Sequence, residues 1–282
     1  MKRLIAFVLA FAATLTIAAA TEAPAKEYSC HYDYKDFTGL AVSNAFNVEL
    51  AFADTWSVDV TVPDFIEPYL KVSCAGGKVR IGLDKLPNSI QRKLNDLSHP
   101  LQAKVTMPKL LQLSLSGASK LSGTGTQVLD SENLHIEISG ASQLKSFESE
   151  GNGTVNIDLS GASKADMKVL FDRMNVEVSG ASSGEIDGKA QFADIDISGA
   201  SKLKVNGTID RLKLDVSGAA KYEGYGEAAK VDVELSGASK CRLTVTEQLY
   251  YELSGVSTLR VKNQGAQIDG ELSRGSKIEF DR

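Results

Sequence analysis

Proline is absent from the larger part of this chain. All six prolines of the 282 residues stand at or before Pro108. Proline takes a donor out of any strand ladder, so a long proline-free stretch is free to pair continuously. Histidine is scarce as well. His31, His99 and His135 are the three, and none stands in a recognisable hydrolase motif. Cysteine occurs three times: Cys30 and Cys74 near the amino terminus, and Cys241 far from both. No run of Lys and Arg interleaved with aromatics is present, and the net charge is −5. Binding to nucleic acid needs many phosphate-neutralising cations, so that function class is disfavoured. Beyond residue 20 no stretch approaches about 18 consecutive apolar residues, so no membrane span is expected in the mature chain. The bulk composition, 43% hydrophobic and 24% charged, is that of a chain able to bury a core.

What is present begins with MKRLIAFVLAFAATLTIAAA, a basic start, an apolar run and then small residues. This is the pattern of a secretory signal peptide over 1–20, with cleavage after Ala20 or as late as Ala25. No Cys closes the apolar run, which speaks against a lipid-modified amino terminus. Export makes a disulfide between Cys30 and Cys74 a candidate.

The tetrapeptide SGAS or a close variant then begins at Ser116, Ser139, Ser160, Ser179, Ser198, Ser217, Ser236, Ser254 and Ser273. The steps are 23, 21, 19, 19, 19, 19, 18 and 19 residues. Apolar residues fall five, three and one before each Ser, as in Leu212, Leu214 and Val216. A period of two is a half-buried strand. Alternation resumes after the glycine, with Lys and then an apolar residue such as Leu121 or Leu203. One such coil buries too little to offset its own ordering entropy, but stacked coils share a continuous apolar column. The fold class is therefore all-β: a right-handed parallel β-helix of about nine coils of ~19 residues, preceded by a small β-rich amino-terminal domain. A propeller blade needs about 40–50 residues per repeat, and the leucine-rich pattern is missing.

The last proline places the boundary, giving a β-rich capping domain at 26–108 and the β-helix at 109–282. Within the first, strand-like runs span Leu40–Leu50, Ser57–Val62, Tyr69–Ser73 and Lys78–Leu83, with Gly76-Gly77 as a hairpin turn. Ile90, Leu94 and Leu97 have helical spacing, with Asn88 or Ser89 as the cap.

DFTGLAVSNAFNVELAFADTWSVDV, KVSCAGGKVRIGL and AKVTMPKLLQLSLSGASKL together resemble the autotransporter-adhesin head, or GIN-domain, family of bacterial exported proteins, over roughly residues 35–280. The resemblance implies a β-helical fold, an exported location and, through the family's label, adhesion. It brings no catalytic residues with it. The insert-like helix at 86–98 is not among the stretches that carry the resemblance.

Candidate chemistry lies in columns. Two before each motif Ser stand Glu137, Asp158, Glu177, Asp196, Asp215, Glu234, Glu252 and Glu271. Stacking aligns them on one face, readable as a cation strip or as a solvated face that deters aggregation. The second reading is favoured, because calcium wants six to eight converging oxygens. Lys120, Lys164, Lys202, Lys221, Lys240 and Lys277, four after the Ser, form a basic column with the same pair of readings. The serines recur in every coil, whereas catalysis needs one activated hydroxyl beside one base, so corner hydrogen bonding is the better reading. Cys241 reads as a buried structural thiol. Tyr32, Tyr34, Phe37 and Trp56 read as core. Among Tyr222, Tyr225, Tyr250 and Tyr251, the pair Tyr225 and Tyr250 is the candidate contact patch if it faces outward. Expected overall is a non-enzymatic exported protein of the periplasm or cell surface, with no cofactor and no metal. Its partner would be a surface glycan or protein. A structural envelope element, including self-association through the last coil, is the alternative. A polysaccharide-active enzyme ranks behind both, since the coils carry almost no insertions.

Overall fold

The computed structural model describes residues 26–98 and 101–281; the expected signal peptide lies outside them. Two long ladders make up the molecule. Chain order runs β1 (Glu27–Tyr32), β2 (Gly39–Val42), β3 (Asn47–Phe52), β4 (Ser57–Pro63), a 3-10 turn at Asp64–Tyr69, β5 (Leu70–Ala75), β6 (Lys78–Leu83), α1 (Asn88–Asn95) and β7 (Gln102–Met107). The repeats follow as β8 (Gln112–Leu115), β9 (Lys120–Thr124), β10 (Thr126–Leu129), β11 (Leu134–Ile138), β12 (Gln143–Gly151), β13 (Thr154–Leu159), β14 (Lys164–Leu170) and β15 (Arg173–Val178). Four strands that pass through both ladders come next: β16 (Ser183–Ile197), β17 (Lys202–Val216), β18 (Lys221–Leu235) and β19 (Lys240–Leu253). The last are β20 (Thr258–Asn263), β21 (Gln267–Leu272) and β22 (Lys277–Asp281).

The first ladder holds the strand before each corner. It runs β6, β2, β8, β11, β13, β15, then the second halves of β16 to β19, then β21, all parallel. The second holds the strand after each corner and runs β7, β3, β9, β12, β14, the first halves of β16 to β19, β20 and β22. Alternation does the rest. In β16 the burial pattern alternates almost residue by residue, with Ile186, Ala193, Ile195 and Ile197 inside. Each such isoleucine is worth about 1.5–3 kcal/mol on burial, gained only when a neighbouring coil covers it.

The SGAS segments lie at one corner, stacked on each other. From Gly140 onward the backbone climbs in a ladder of its own: Ala162 N–H donates to Gly140 O at 2.7 Å, Ala181 N–H to Gly161 O at 2.7 Å and Ala200 N–H to Gly180 O at 2.8 Å. The last motif serine is buried in coil after coil, for example Ser163, Ser182 and Ser201. Ser119 Oγ donates to Ser116 O at 2.8 Å, and Ser201 Oγ to Gly180 O at 3.3 Å. These hydroxyls hold corners together. Among the described residues, three of them, on Ser142, Ser239 and Ser257, find no partner.

The strand ladder does not break at residue 108. β2 and β3 pair in register with β8 and β9, so residues 39–52 wind as a coil of the same solenoid. Their corner is Ser43-Asn44-Ala45-Phe46, which occupies the SGAS register with Asn44 at φ 62° where Gly117 has 63°. The expected single run Leu40–Leu50 is therefore two strands and a corner. β6 and β7 stack beneath it as a further coil in which α1, and not a tight corner, lies between the two strands. No side chain caps α1; Pro87, not Asn88 or Ser89, precedes its first turn. Antiparallel strands close this end: β5 on β6 through the Gly76-Gly77 hairpin, and β4 on β7 with β1 beyond it. Both hairpin glycines have positive φ, as a two-residue turn of this twist requires. We propose that residues 26–108 serve as the cap expected of them.

Candidate functional site

The outer surface of the first ladder carries three columns of side chains, six, four and two residues before each corner serine. The innermost is the expected acidic column, and register pairs it rung by rung: Glu137, Asp158, Glu177, Asp196, Asp215, Glu234, Glu252, Glu271. Burial, then the neighbouring Asp215 and Asp194 carboxylates, pushes the Asp196 carboxyl above its ordinary value. Lys213 Nζ lies 3.1 Å from Asp215 Oδ2 and 3.9 Å from Asp194 Oδ1, relieving part of that repulsion. Among the described residues, no three His, Cys, Asp or Glu side chains are placed to hold a metal ion.

The column six before the serine is the unusual one. It reads Thr154, Arg173, Phe192, Arg211, Lys230, Gln248 and Gln267 on successive rungs. Phe192 faces outward and is 37% exposed. The Arg173 guanidinium lies 5.0 Å from its ring centre and that of Arg211 5.3 Å, from the rungs on either side. Cations over an aromatic face are attracted by its quadrupole. Among the described residues neither arginine makes an ion pair. Together with Asp194, Asp232 and Tyr250 these residues line an open cleft of about 390 Å³. Tyr250 is 40% exposed, and its hydroxyl donates to Glu252 at 2.9 Å. That bond and the surrounding carboxylates hold the phenol above its ordinary value.

Tyr225 is exposed too, but it follows its corner on the second ladder, whereas Tyr250 precedes its corner on the first. The structure does not join them into one patch. Tyr250 belongs with Phe192 and the arginines, which the sequence pattern did not single out. The signal was there: aligned on their serines, the repeats put Arg, Phe and Arg at one outward register.

The second ladder carries the basic column, with Lys164, Ser183, Lys202, Lys221 and Lys240 on consecutive rungs. Much of its charge is spent internally. Glu223 lies 2.8 Å from Lys202 and 2.6 Å from Lys221, which hold its carboxyl below the usual range against the opposing effect of burial. Towards the last coil, Arg260 and Lys277 grip Glu279 and bring it down to about 2.

The remaining candidates are structural. Cys241 is buried between Tyr222 and Leu259, and burial pushes its thiol far up, so it is a poor nucleophile. Phe37 is fully buried, Trp56 Nε1 donates to its carbonyl at 3.1 Å, and the Tyr32 and Tyr34 rings stack at 5.6 Å. The expected Cys30–Cys74 bond is not formed. Both are free thiols, on edge strands that belong to opposite ladders and share no register. His31 is instead held by Asp59, its Nδ1 2.7 Å from Oδ1, with Ser57 Oγ donating to the other oxygen at 2.6 Å. The serine points at the carboxylate and not at the imidazole, which is no nucleophile–base pair.

Comparison with known proteins gives a family and a fold. The family model described as "Putative auto-transporter adhesin, head GIN domain" matches residues 36–182 and again 152–265. No curated protein matches. Among solved structures, a putative adhesin from Parabacteroides merdae superposes with a TM-score of 0.65 at 14% identity, over 91% of this chain and 97% of its own. A putative adhesin from Parabacteroides distasonis gives 0.65 at 15%, over 92% and 98%. A protein from the same organism described as a putative lipid binding protein gives 0.61 at 15%, over 91% and 97%. Among the described residues no helix is long and apolar enough to cross a membrane.

Proposed function

Since this chain belongs to the auto-transporter adhesin head GIN-domain family, we propose that it is a non-enzymatic exported protein of the bacterial envelope or surface that binds a glycan or protein through one face of its β-solenoid. One observation carries the reading. The first ladder presents a regular outer surface on which Phe192, Tyr250 and two arginines without carboxylate partners gather in an open cleft. Exposed aromatic and Arg side chains with free hydrogen-bonding groups are what recognition surfaces concentrate.

A catalytic reading finds less support. An enzyme acting on polysaccharide gathers irregular acids in a cleft, with their environments pushing them apart in pKa. Here eight acids keep one register from β11 to β21.

The test is to probe an array of bacterial and host glycans, and surfaces coated with matrix proteins, with the purified protein, and to assay the same glycans for chain cleavage. Saturable binding without turnover is the expected result. Cleavage of a bound glycan, or no saturable binding to any surface, would overturn the reading.

A further inference from the structure

Arg173, Phe192 and Arg211 occupy three consecutive rungs, so the two guanidinium groups are about 10 Å apart along the solenoid axis, twice the strand spacing. Lys230 follows on the next rung and Gln248 on the one after. The protein as a whole is acidic at −5, and several of the other cations on its ladders are paired with a carboxylate, Lys230 loosely so, its Nζ 3.9 Å from Glu247. Lys213 is held by Asp215, Lys202 and Lys221 by Glu223, and Arg260 by Glu279. Arg173 and Arg211 have only the ring between them. Two planar forks with unspent donors, set at a fixed interval on a rigid ladder, are suited to carboxylate or sulfate groups repeated along a linear ligand.

We infer that this cleft binds an acidic polysaccharide lying along the solenoid axis, its anionic groups on Arg173, Arg211 and Lys230 and its hydroxyls on Asp232, Gln248 and Tyr250. The inference rests on the binding reading above and names the ligand class for it. Two features select a sparsely charged sugar polymer over other polyanions. The acidic column runs only two register positions away, with Glu177, Asp196, Asp215 and Glu234 level with the cleft. A duplex carrying one charge per about 1.7 Å would press several phosphates against it, and a charged bilayer would cover it entirely. A chain with one carboxylate per repeating unit meets the arginines and leaves the acids to solvent or to sugar hydroxyls. The flat faces of Phe192 are taken up by the arginines, so the ring offers no stacking platform for an unpaired base.

Polygalacturonate is the probe, with its carboxyl-reduced counterpart as the neutral control. Single-stranded DNA and vesicles containing phosphatidylglycerol are the competing arms. Binding is read by titration at low and high salt, for the unaltered full chain, for Arg173→Gln/Arg211→Gln, and for Lys240→Gln on the opposite ladder. The expected result is salt-sensitive binding of polygalacturonate only. The double variant should lose roughly tenfold or more in affinity, the scale of a lost charge-assisted hydrogen bond, and Lys240→Gln should lose little. The replaced side chains are exposed and unpaired, so unchanged melting separates loss of the site from loss of the fold. Glycan binding that survives the double variant, that ignores carboxyl reduction, or that is outcompeted by DNA or vesicles overturns this inference and leaves the binding reading standing. Absence of binding to these glycans and to every surface of the wider array brings down both.

Discussion

Glycine at the second motif position answers two constraints at once. Gly199 has φ 73°, a region costly to any residue with a β-carbon, and a Cβ built there would lie 2.5 Å from the carbonyl oxygen of Gly180 in the coil beneath. Neither partner can yield, because Ala200 N–H donates to that same carbonyl. Gly265 has φ 98° with open space around it. Gly265→Ala is expected to cost only the conformational penalty, about 1–2 kcal/mol. Gly199→Ala adds a clash within the backbone column and should lower the melting temperature distinctly further. Equal losses in thermal melts of the two variants would show that the corner column is not tightly stacked. This logic also explains why the repeat was legible in the sequence: the same two constraints recur from Gly161 to Gly255, so the same residue does.

Elements were less evenly legible than the repeat. The nine SGAS corners, the alternating strands on either side and the Gly76-Gly77 hairpin all carry local chemistry that names them. The corner at Ser43 escaped because Asn44 supplies the left-handed conformation and the buried Phe46 stands where later coils have serine. It also stands far upstream of Ser116, separated by a hairpin and by α1, neither of which has a repeat period. The stacking of β6 and β7 beneath β2 and β3 reverses chain order, and no local pattern encodes that. The alignment of the acidic column, by contrast, was legible, and it has an electrostatic consequence. Asp196 is raised, first by burial and then by Asp215 and Asp194. A carboxyl whose folded value lies above its unfolded value favours the folded state when protonated and loses that contribution as pH rises through the raised value. Asp196→Asn should therefore raise the melting temperature at pH 7.5 by a few degrees at most, since the groups are largely solvated. At pH 3, where the unaltered side chain is already protonated, it should change little. A lower melting temperature at pH 7.5 would mean that the charge is compensated by a favourable interaction in the native state.

At the scale of the whole molecule, a solenoid with a fixed period should tolerate removal of one complete turn and fail on removal of part of one. Residues 198–216 form one nineteen-residue unit, from the corner serine of one coil to the last strand residue before the next. Deleting them joins Ile197 to Ser217 and lays Gly180 beneath Gly218, Gly188 beneath Gly226 and Lys221 over Ser183, each pair already related through the missing rung. Every inward side chain stays inward. The cost is one interface between neighbouring coils, so the shortened protein should fold with the same strand content and a moderately lower melting temperature. Deleting only 198–206 removes an odd number of residues, which turns the rest of that coil inside out and exposes its apolar set. That variant should aggregate or lose its cooperative transition. The whole-turn deletion also takes away Arg211 and brings Lys230 next to Phe192. Its circular dichroism should stay native while its affinity for polygalacturonate falls, separating the scaffold from the site it carries. If the nineteen-residue deletion unfolds the protein as thoroughly as the nine-residue one, the coils are not interchangeable units. Stability would then reside in the individual contacts of each turn and not in the repeat.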